Sequence, residues 1–207
     1  MKKFVFVALL SFTFSCNMSA QSVREMWLNM PDSIIPYLNK SLRQECIDFV
    51  DMNVKASVKN LFQGESIMDT LATDYAHIQL NESSIMEMKM FPSNTGDSIL
   101  CVVRTFVGPA RESEVAFYNK EWNKIGEGLN FKKADCMSKP DTMDVKRYDE
   151  LLSMVQPFMY WAKLSPQQNS ITYSMSIPLA SKQDKKDVEA ISKQIKVNLK
   201  DLVVKRY

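Results

Sequence analysis

Ser98, His77 and the cysteines are the residues from which this chain could assemble a covalent active site. Ser98 stands in Gly96-Asp97-Ser98-Ile99, between turn-forming residues and an apolar run. A serine hydroxyl needs a base within about 3 Å to act as a nucleophile. His77 is the sole imidazole in the sequence, so any such pair must use it. Cys46 or Cys136 with His77 is the other nucleophilic pairing, and no local motif supports it. Carboxylate pairs need no motif, so a hydrolase of envelope or polymer substrates using His77 with Ser98 or with carboxylates stays a candidate. Met86, Met88 and Met90 carry a third chemistry: thioethers are soft ligands for Cu(I), and alternate residues of a strand share a face. The competing reading is a Met-rich core face whose flexible side chains fill gaps. The usual zinc arrangements are disfavoured, because one histidine and scattered cysteines give none of their close spacings.

The Gly-Asp-Ser block resembles the nucleophile block of one class of secreted esterases. In that class the block follows a buried strand near the mature N-terminus, with a histidine downstream. Here it follows Phe91-Pro92-Ser93-Asn94-Thr95, precedes the strand, and has His77 upstream. Ser98 therefore reads as a turn residue entering a strand, and no catalytic residue is assigned. The aromatic pairs Tyr160 with Trp161 and Tyr118 with Trp122 are candidate ligand platforms. Adjacent strand residues point to opposite faces, so Tyr160 and Trp161 cannot share one platform, and core packing is the simpler reading.

Four triplets, Asp32-Ser33-Ile34, Asp69-Thr70-Leu71, Asp97-Ser98-Ile99 and Asp141-Thr142-Met143, repeat the order Asp, hydroxyl residue, aliphatic or Met. They resemble the acceptor sequence for extracytoplasmic O-glycosylation in the Bacteroidetes phylum. Ser33, Thr70, Ser98 and Thr142 are thus candidate glycosylation sites, Ser98 and Thr142 lying in the most loop-like surroundings. Asp-Ser and Asp-Thr also favour turns and helix starts, which is the competing explanation.

The N-terminus places this chemistry in a compartment. Lys2 and Lys3 precede an apolar run from Phe4 to Phe14, then Ser19, Ala20 and Gln21. That order predicts a signal peptide over residues 1–20 and an exported product, periplasmic or on the cell surface. The rival reading takes Cys16 as a lipid-accepting cysteine and gives a lipid-anchored form, although Thr13-Phe14-Ser15 departs from the usual aliphatic pattern. No later apolar run approaches the roughly 18 residues a spanning helix needs. Removing Lys2 and Lys3 from 26 basic residues leaves 24 against 24 acidic ones. A balanced charge argues against a nucleic-acid partner. Cys46, Cys101 and Cys136 would remain, an odd number, with Cys136 in KKADCMSKPD reading as the accessible one.

These residues must be held by recognisable elements. SLRQECIDFVDM has helical spacing at Leu42, Cys46, Phe49 and Val50, with Ser41 as N-cap. Pro31 and Pro36 break the segment before it into short turns. DYAHIQL, IMEMKMF, SILCVVRTFV and EVAFYNK read as four strands joined by short turns, which predicts an antiparallel meander. DVKRYDELLSMV predicts a helix with Val145, Tyr148, Leu151, Leu152 and Val155 on one face. Strands FMYWAKL and SITYSMSI follow, then a helix from about Lys182 opened by Ser181 and Asp184, and LVVKRY as a last strand.

The expected fold is α+β, with helices on one face of antiparallel sheet. Residues 21–125 would form the N-terminal helices and meander, and 126–207 a C-terminal half packed with it as one unit. SIMEMKMFP and SITYSMSIP match at Ser, Ile and Pro, which raises two related halves, but their alternation is out of phase and a strict repeat would need a bulge. PDSIIPYLNKSLRQECIDFVD, GDSILCVVRTFVGP, AFYNKEW and ITYSMSIPL resemble a family of exported proteins from gut Bacteroidales, domain of unknown function 3256. The resemblance spans nearly the whole mature chain and implies its compartment and fold. It implies no activity, so the expectation is a non-catalytic binding or interaction module of the cell envelope, needing no cofactor. Its partner would be an envelope protein, a glycan or a small ligand.

Overall fold

The computed structural model describes residues 22–93, 96–178 and 181–204. The predicted signal peptide and Cys16 lie outside them. The chain opens with helix α1 (Val23–Asn29) and helix α2 (Lys40–Asp51), separated by turns at the two prolines. A capping box starts α1: Ser22 Oγ accepts from Glu25 N at 3.3 Å, and Ser22 N donates to Glu25 Oε2 at 3.2 Å. Asn39, not Ser41, caps α2, accepting from Leu42 N at 3.1 Å, because the helix begins two residues earlier than its apolar periodicity suggests.

Seven strands then follow as one antiparallel meander in chain order. They are β1 (Ser57–Lys59), β2 (Glu65–Leu71), β3 (Tyr75–Asn81), β4 (Ser84–Pro92), β5 (Ser98–Val107), β6 (Arg111–Tyr118) and β7 (Lys124–Glu127). The four predicted strands are its centre. Strands β1, β2 and β7 were not expected, being short or polar. After β7 come a short 3₁₀ turn (Lys133–Cys136), helix α3 (Val145–Met154), β8 (Met159–Leu164), β9 (Ser170–Ser176), helix α4 (Lys182–Ile191), β10 (Ile195–Asn198) and helix α5 (Leu199–Val204). Strands β10, β9 and β8 form a second, three-stranded antiparallel sheet. The tail predicted as a strand is thus helical as far as Val204, with Leu199 and Leu202 buried.

The large sheet is covered on both sides. Its Ala76, Ile78, Met86, Met88 and Leu100 face α1 and α2, where Met26, Trp27, Leu38 and Ile47 fill the layer. Its Tyr75, Phe91, Cys101, Val103 and Phe117 face the small sheet, meeting Ala162, Leu164, Ile171 and Tyr173. The period-two alternation of each strand supplies both faces, so the central strands are apolar almost throughout. Helices α3 and α4 close a third cluster with Leu151, Val155, Met175 and Val188. Val145 lies outside it, 59% exposed, because the first turn of α3 turns toward solvent behind its Asp144 cap.

Two tryptophans tie the N-terminal helices down. Trp27 Nε1 donates to Arg43 O at 3.1 Å, and Trp122 Nε1, from the β6–β7 turn, donates to Met26 O at 3.0 Å. Arg43, 1% exposed, reaches Asp32 at 2.8 Å and Leu38 O at 2.8 Å, clasping the proline-broken segment to α2.

Candidate functional site

The register of the large sheet separates Ser98 from His77. His77 on β3 lies beside Glu87 on β4, which lies beside Val103 on β5, whereas Ser98 pairs with Pro92 at the far end of the same ladder. Two strand spacings and five residues along a strand amount to roughly 20 Å, so the serine and the imidazole do not meet. Cys46, Cys101 and Cys136 are all free thiols and all buried. Cys136, expected to be accessible, is 1% exposed because the 3₁₀ turn folds it under α3 and α4. Burial pushes all three thiols up, Cys46 to about 12. Met86, Met88 and Met90 do share one face, packed into the helix-facing core at 1%, 0% and 6% exposure.

His77 instead meets a carboxylate, Nδ1 lying 2.9 Å from Asp69 Oδ2 at the bulge of β2. Its cross-strand neighbour Glu87 is 4% exposed and faces the small sheet. Tyr75 Oη donates to Glu87 Oε1 at 2.8 Å, and Leu164 N of β8 donates to Oε2 at 3.3 Å. Burial raises the Glu87 carboxyl above the usual range, against the pull of those two donors and of nearby His77 and Lys163. Two positions along β4, Lys89 Nζ donates to Asp74 Oδ2 at 2.7 Å and to Pro166 O at 2.7 Å. These residues use their chemistry to fasten one sheet to the other: Glu87 and Lys89 take hold of the two ends of the segment 164–166. Sequence reading missed them. Both occupy the alternate positions of a methionine-lined strand, where a charged residue reads as solvent-facing.

A cleft of about 360 Å³ opens where β6 and β7 meet the small sheet. Its walls include Glu114, Tyr118, Lys124, Asn130, Tyr160 and Tyr173. Loop 128–131 forms the rim. Tyr160 Oη donates to Leu129 O at 3.1 Å, and Leu129 N donates to Tyr173 Oη at 3.4 Å. Phe131 stacks edge-on against both tyrosines, with centroids 5.3 and 4.9 Å away. Gly128 permits this approach, since a Cβ there would lie 2.6 Å from Val115 Cβ and 2.9 Å from Tyr173 Oη. Across the cleft Tyr118 packs on Trp122 at 5.1 Å, and Lys124 pairs with Glu127 at 2.6 Å. Burial raises the hydroxyls of Tyr118, Tyr160 and Tyr173, so all three keep their protons and present neutral hydrogen-bonding groups. Tyr160 was a candidate platform residue, as were Tyr118 and Trp122. Tyr173 was read only as part of an apolar strand face, and Glu114 carried no signal at all.

The four Asp-hydroxyl triplets are dispersed over the molecule. Ser33, Thr70 and Thr142 are exposed and Ser98 is half-buried at the start of β5. Among their aspartates, Asp32 is engaged by Arg43 and Asp69 by His77.

A long antiparallel meander, with helices on one face and a small sheet on the other, defines an α+β protein. The chain belongs to the family described as Protein of unknown function (DUF3256), whose sequence profile matches residues 15–198. Its fold is similar to that of a domain of an uncharacterized protein from Porphyromonas gingivalis W83, with a TM-score of 0.64 and 19% identity over 84% of this chain and 93% of that one. No curated protein sequence matches it.

Proposed function

We propose that the protein is an exported, non-catalytic binding module of the cell envelope that holds a small polar ligand in the tyrosine-lined cleft. The convergence of Tyr118, Tyr160 and Tyr173 around about 360 Å³ carries this reading. Ligand sites combine aromatic surface with a few fixed polar groups, and this cleft adds Glu114, Lys124 and Asn130 to its rings. His77 is paired with Asp69 within the large sheet, and Glu87 and Lys89 hold the contact between the sheets. The loop that rims the cleft is held by tyrosine hydroxyls, so the site is preformed and little ordering cost opposes binding.

A screen of neutral sugars, amino acids and short peptides by NMR tests this. The expected hits shift Asn130, Tyr160 and Gly128 resonances and weaken in Glu114→Ala, whose side chain lies outside the core. Turnover of any screened compound that disappears in His77→Ala would overturn the non-catalytic reading. Export is tested separately by the intact mass of protein from its native host. A start at Gln21 supports ordinary cleavage, and a diacylglycerol on Cys16 supports the anchored form. Mass beyond either chain, mapping to Ser33, Thr70, Ser98 or Thr142, marks the triplets as glycosylated, and its absence ends that idea.

A further inference from the structure

Strand β8 has a second face, and it is lined by different chemistry. Ala162 and Leu164 point into the core, so Trp161 and Lys163 point outward. On β9, Ile171 and Tyr173 point inward, and Ser170, Thr172 and Ser174 form a hydroxyl column on the outer side. The register sets these side chains in rows. Trp161 lies beside Ser174, and Lys163 lies beside Thr172, whose other neighbour is Lys196 on β10. Thr172 is therefore flanked by a lysine on each side, and the two lysine backbones stand about 10 Å apart. A recess of about 310 Å³ opens over this grid.

Three observations mark the recess as a site. Ser170, 7% exposed, lines it, and its Oγ has no hydrogen-bond partner among the described residues. A buried hydroxyl without a partner is destabilising, a deficit that a ligand oxygen would relieve. The charge is one-sided: among the described residues, Lys163 and Lys196 line the recess with no Asp or Glu in its walls, and Lys196 donates to the neutral Gln168 Oε1 at 2.6 Å. Trp161 adds an aromatic wall, and the Arg111 guanidinium lies over its ring, 5.2 Å from the centroid, bringing a third cation to this side.

We infer that the outer face of the three-stranded sheet binds an acidic oligosaccharide, one sugar ring bearing a carboxylate at a time. Sugar hydroxyls both donate and accept, as the column of Ser170, Thr172 and Ser174 does. A carboxylate bridging Lys163 and Lys196 neutralises the charge that the recess leaves unmatched. The indole supplies the apolar surface against which a pyranose ring packs. This face is on the opposite side of β8 from the tyrosine cleft, so the inference stands or falls independently of the ligand in that cleft.

Calorimetric titration of the mature chain with trigalacturonate, with a neutral trisaccharide and with inorganic phosphate is the test. Trigalacturonate should bind, weaken about tenfold or more in the exposed double variant Lys163→Gln with Lys196→Gln, and weaken further as salt rises. Trp161→Ala should lower trigalacturonate affinity while leaving the unfolding midpoint of the chain within the range of the lysine variant. Equal affinity for the neutral trisaccharide, indifference to the double variant, or phosphate binding as tight as trigalacturonate would each overturn the inference. So would no trigalacturonate binding at millimolar concentration.

Discussion

Lys89 and Asp74 share one ion pair, yet breaking it from the two ends should cost very different amounts. The lysine side chain is 1% exposed and the aspartate 51%. Asp74→Ala leaves an ammonium in the sheet interface with Pro166 O as its one remaining acceptor among the described residues. Removing one partner of a buried pair costs about 3–5 kcal/mol, and the surviving carbonyl contact places this case near 3 kcal/mol. Lys89→Met instead removes the buried charge and replaces its stem with an apolar chain of similar volume. The acceptors it leaves behind are a half-exposed carboxylate and the carbonyl of exposed Pro166, both open to water. Replacing a buried charge by a hydrophobe of similar size is often neutral, so the cost should be about 0–1 kcal/mol. With a urea slope of about 2 kcal/mol/M, the gap of about 2 kcal/mol separates the two midpoints by about 1 M. The double variant should fall with Lys89→Met. A Lys89→Met midpoint as low as that of Asp74→Ala, at unchanged slope, would refute the reasoning, because it would show that the bond itself and not the stranded charge sets the cost.

Glu87 gives the pH counterpart. Its folded carboxyl is raised by burial, so the native state holds this proton more tightly than the unfolded chain does, where the group ionises near about 4.3. The stability it contributes is full below that value and is lost as pH rises through the folded value. Glu87→Gln removes the titration, so its stability relative to the parent should improve from about pH 4 to about pH 8 in urea melts; a flat or opposite trend would contradict the assigned burial. The thiols give a third prediction. Cys46, Cys101 and Cys136 are buried and protonated, so Ellman's reagent should titrate them slowly in the native protein and rapidly in denaturant. One fast thiol before unfolding would show that the 3₁₀ turn over Cys136 is open.

The elements that the sequence made legible are those whose local pattern and final environment agree. Ser181 caps α4, accepting from Asp184 N at 3.3 Å, as its place before the apolar stripe implies. Asn81 accepts from Ser83 N at 2.8 Å in the turn between β3 and β4, as Asn-Glu-Ser between two alternating runs implies. Strand β1 was illegible because three residues carry too little alternation to distinguish it from loop, and β10 because Ile195 and Leu199 continue the helical spacing of Val188 and Ile191, although α4 ends at Ile191. The tail misled for the opposite reason. Leu202 and Val203 are adjacent apolar residues that fit a strand, but Leu199 and Leu202 stand one helical turn apart and both reach the core between the sheets.

The junction between the sheets could have been inferred from a pair of strands taken together. SILCVVRTFV is apolar at consecutive positions, the mark of a strand buried on both faces. In β4 the charged positions between the methionines lie beside the fully buried Val103 and Cys101 of β5, so they cannot be solvent-facing. Glu87 and Lys89 must be buried, and buried charges require partners. Tyr75 and Asp74, at the start of β3, are those partners, and antiparallel pairing of β3 with β4 brings them within reach. What no single strand could reveal is which segment lies across this pair, because the 164–166 turn comes from about 77 residues further along the chain. That long-range contact also orients β8: by clamping the start of the β8–β9 turn to the large sheet, Glu87 and Lys89 fix which face of β8 looks inward toward Tyr173 and which carries Trp161 and Lys163 to the surface. The binding surfaces proposed on the two sides of β8 therefore depend on the same buried carboxylate and ammonium.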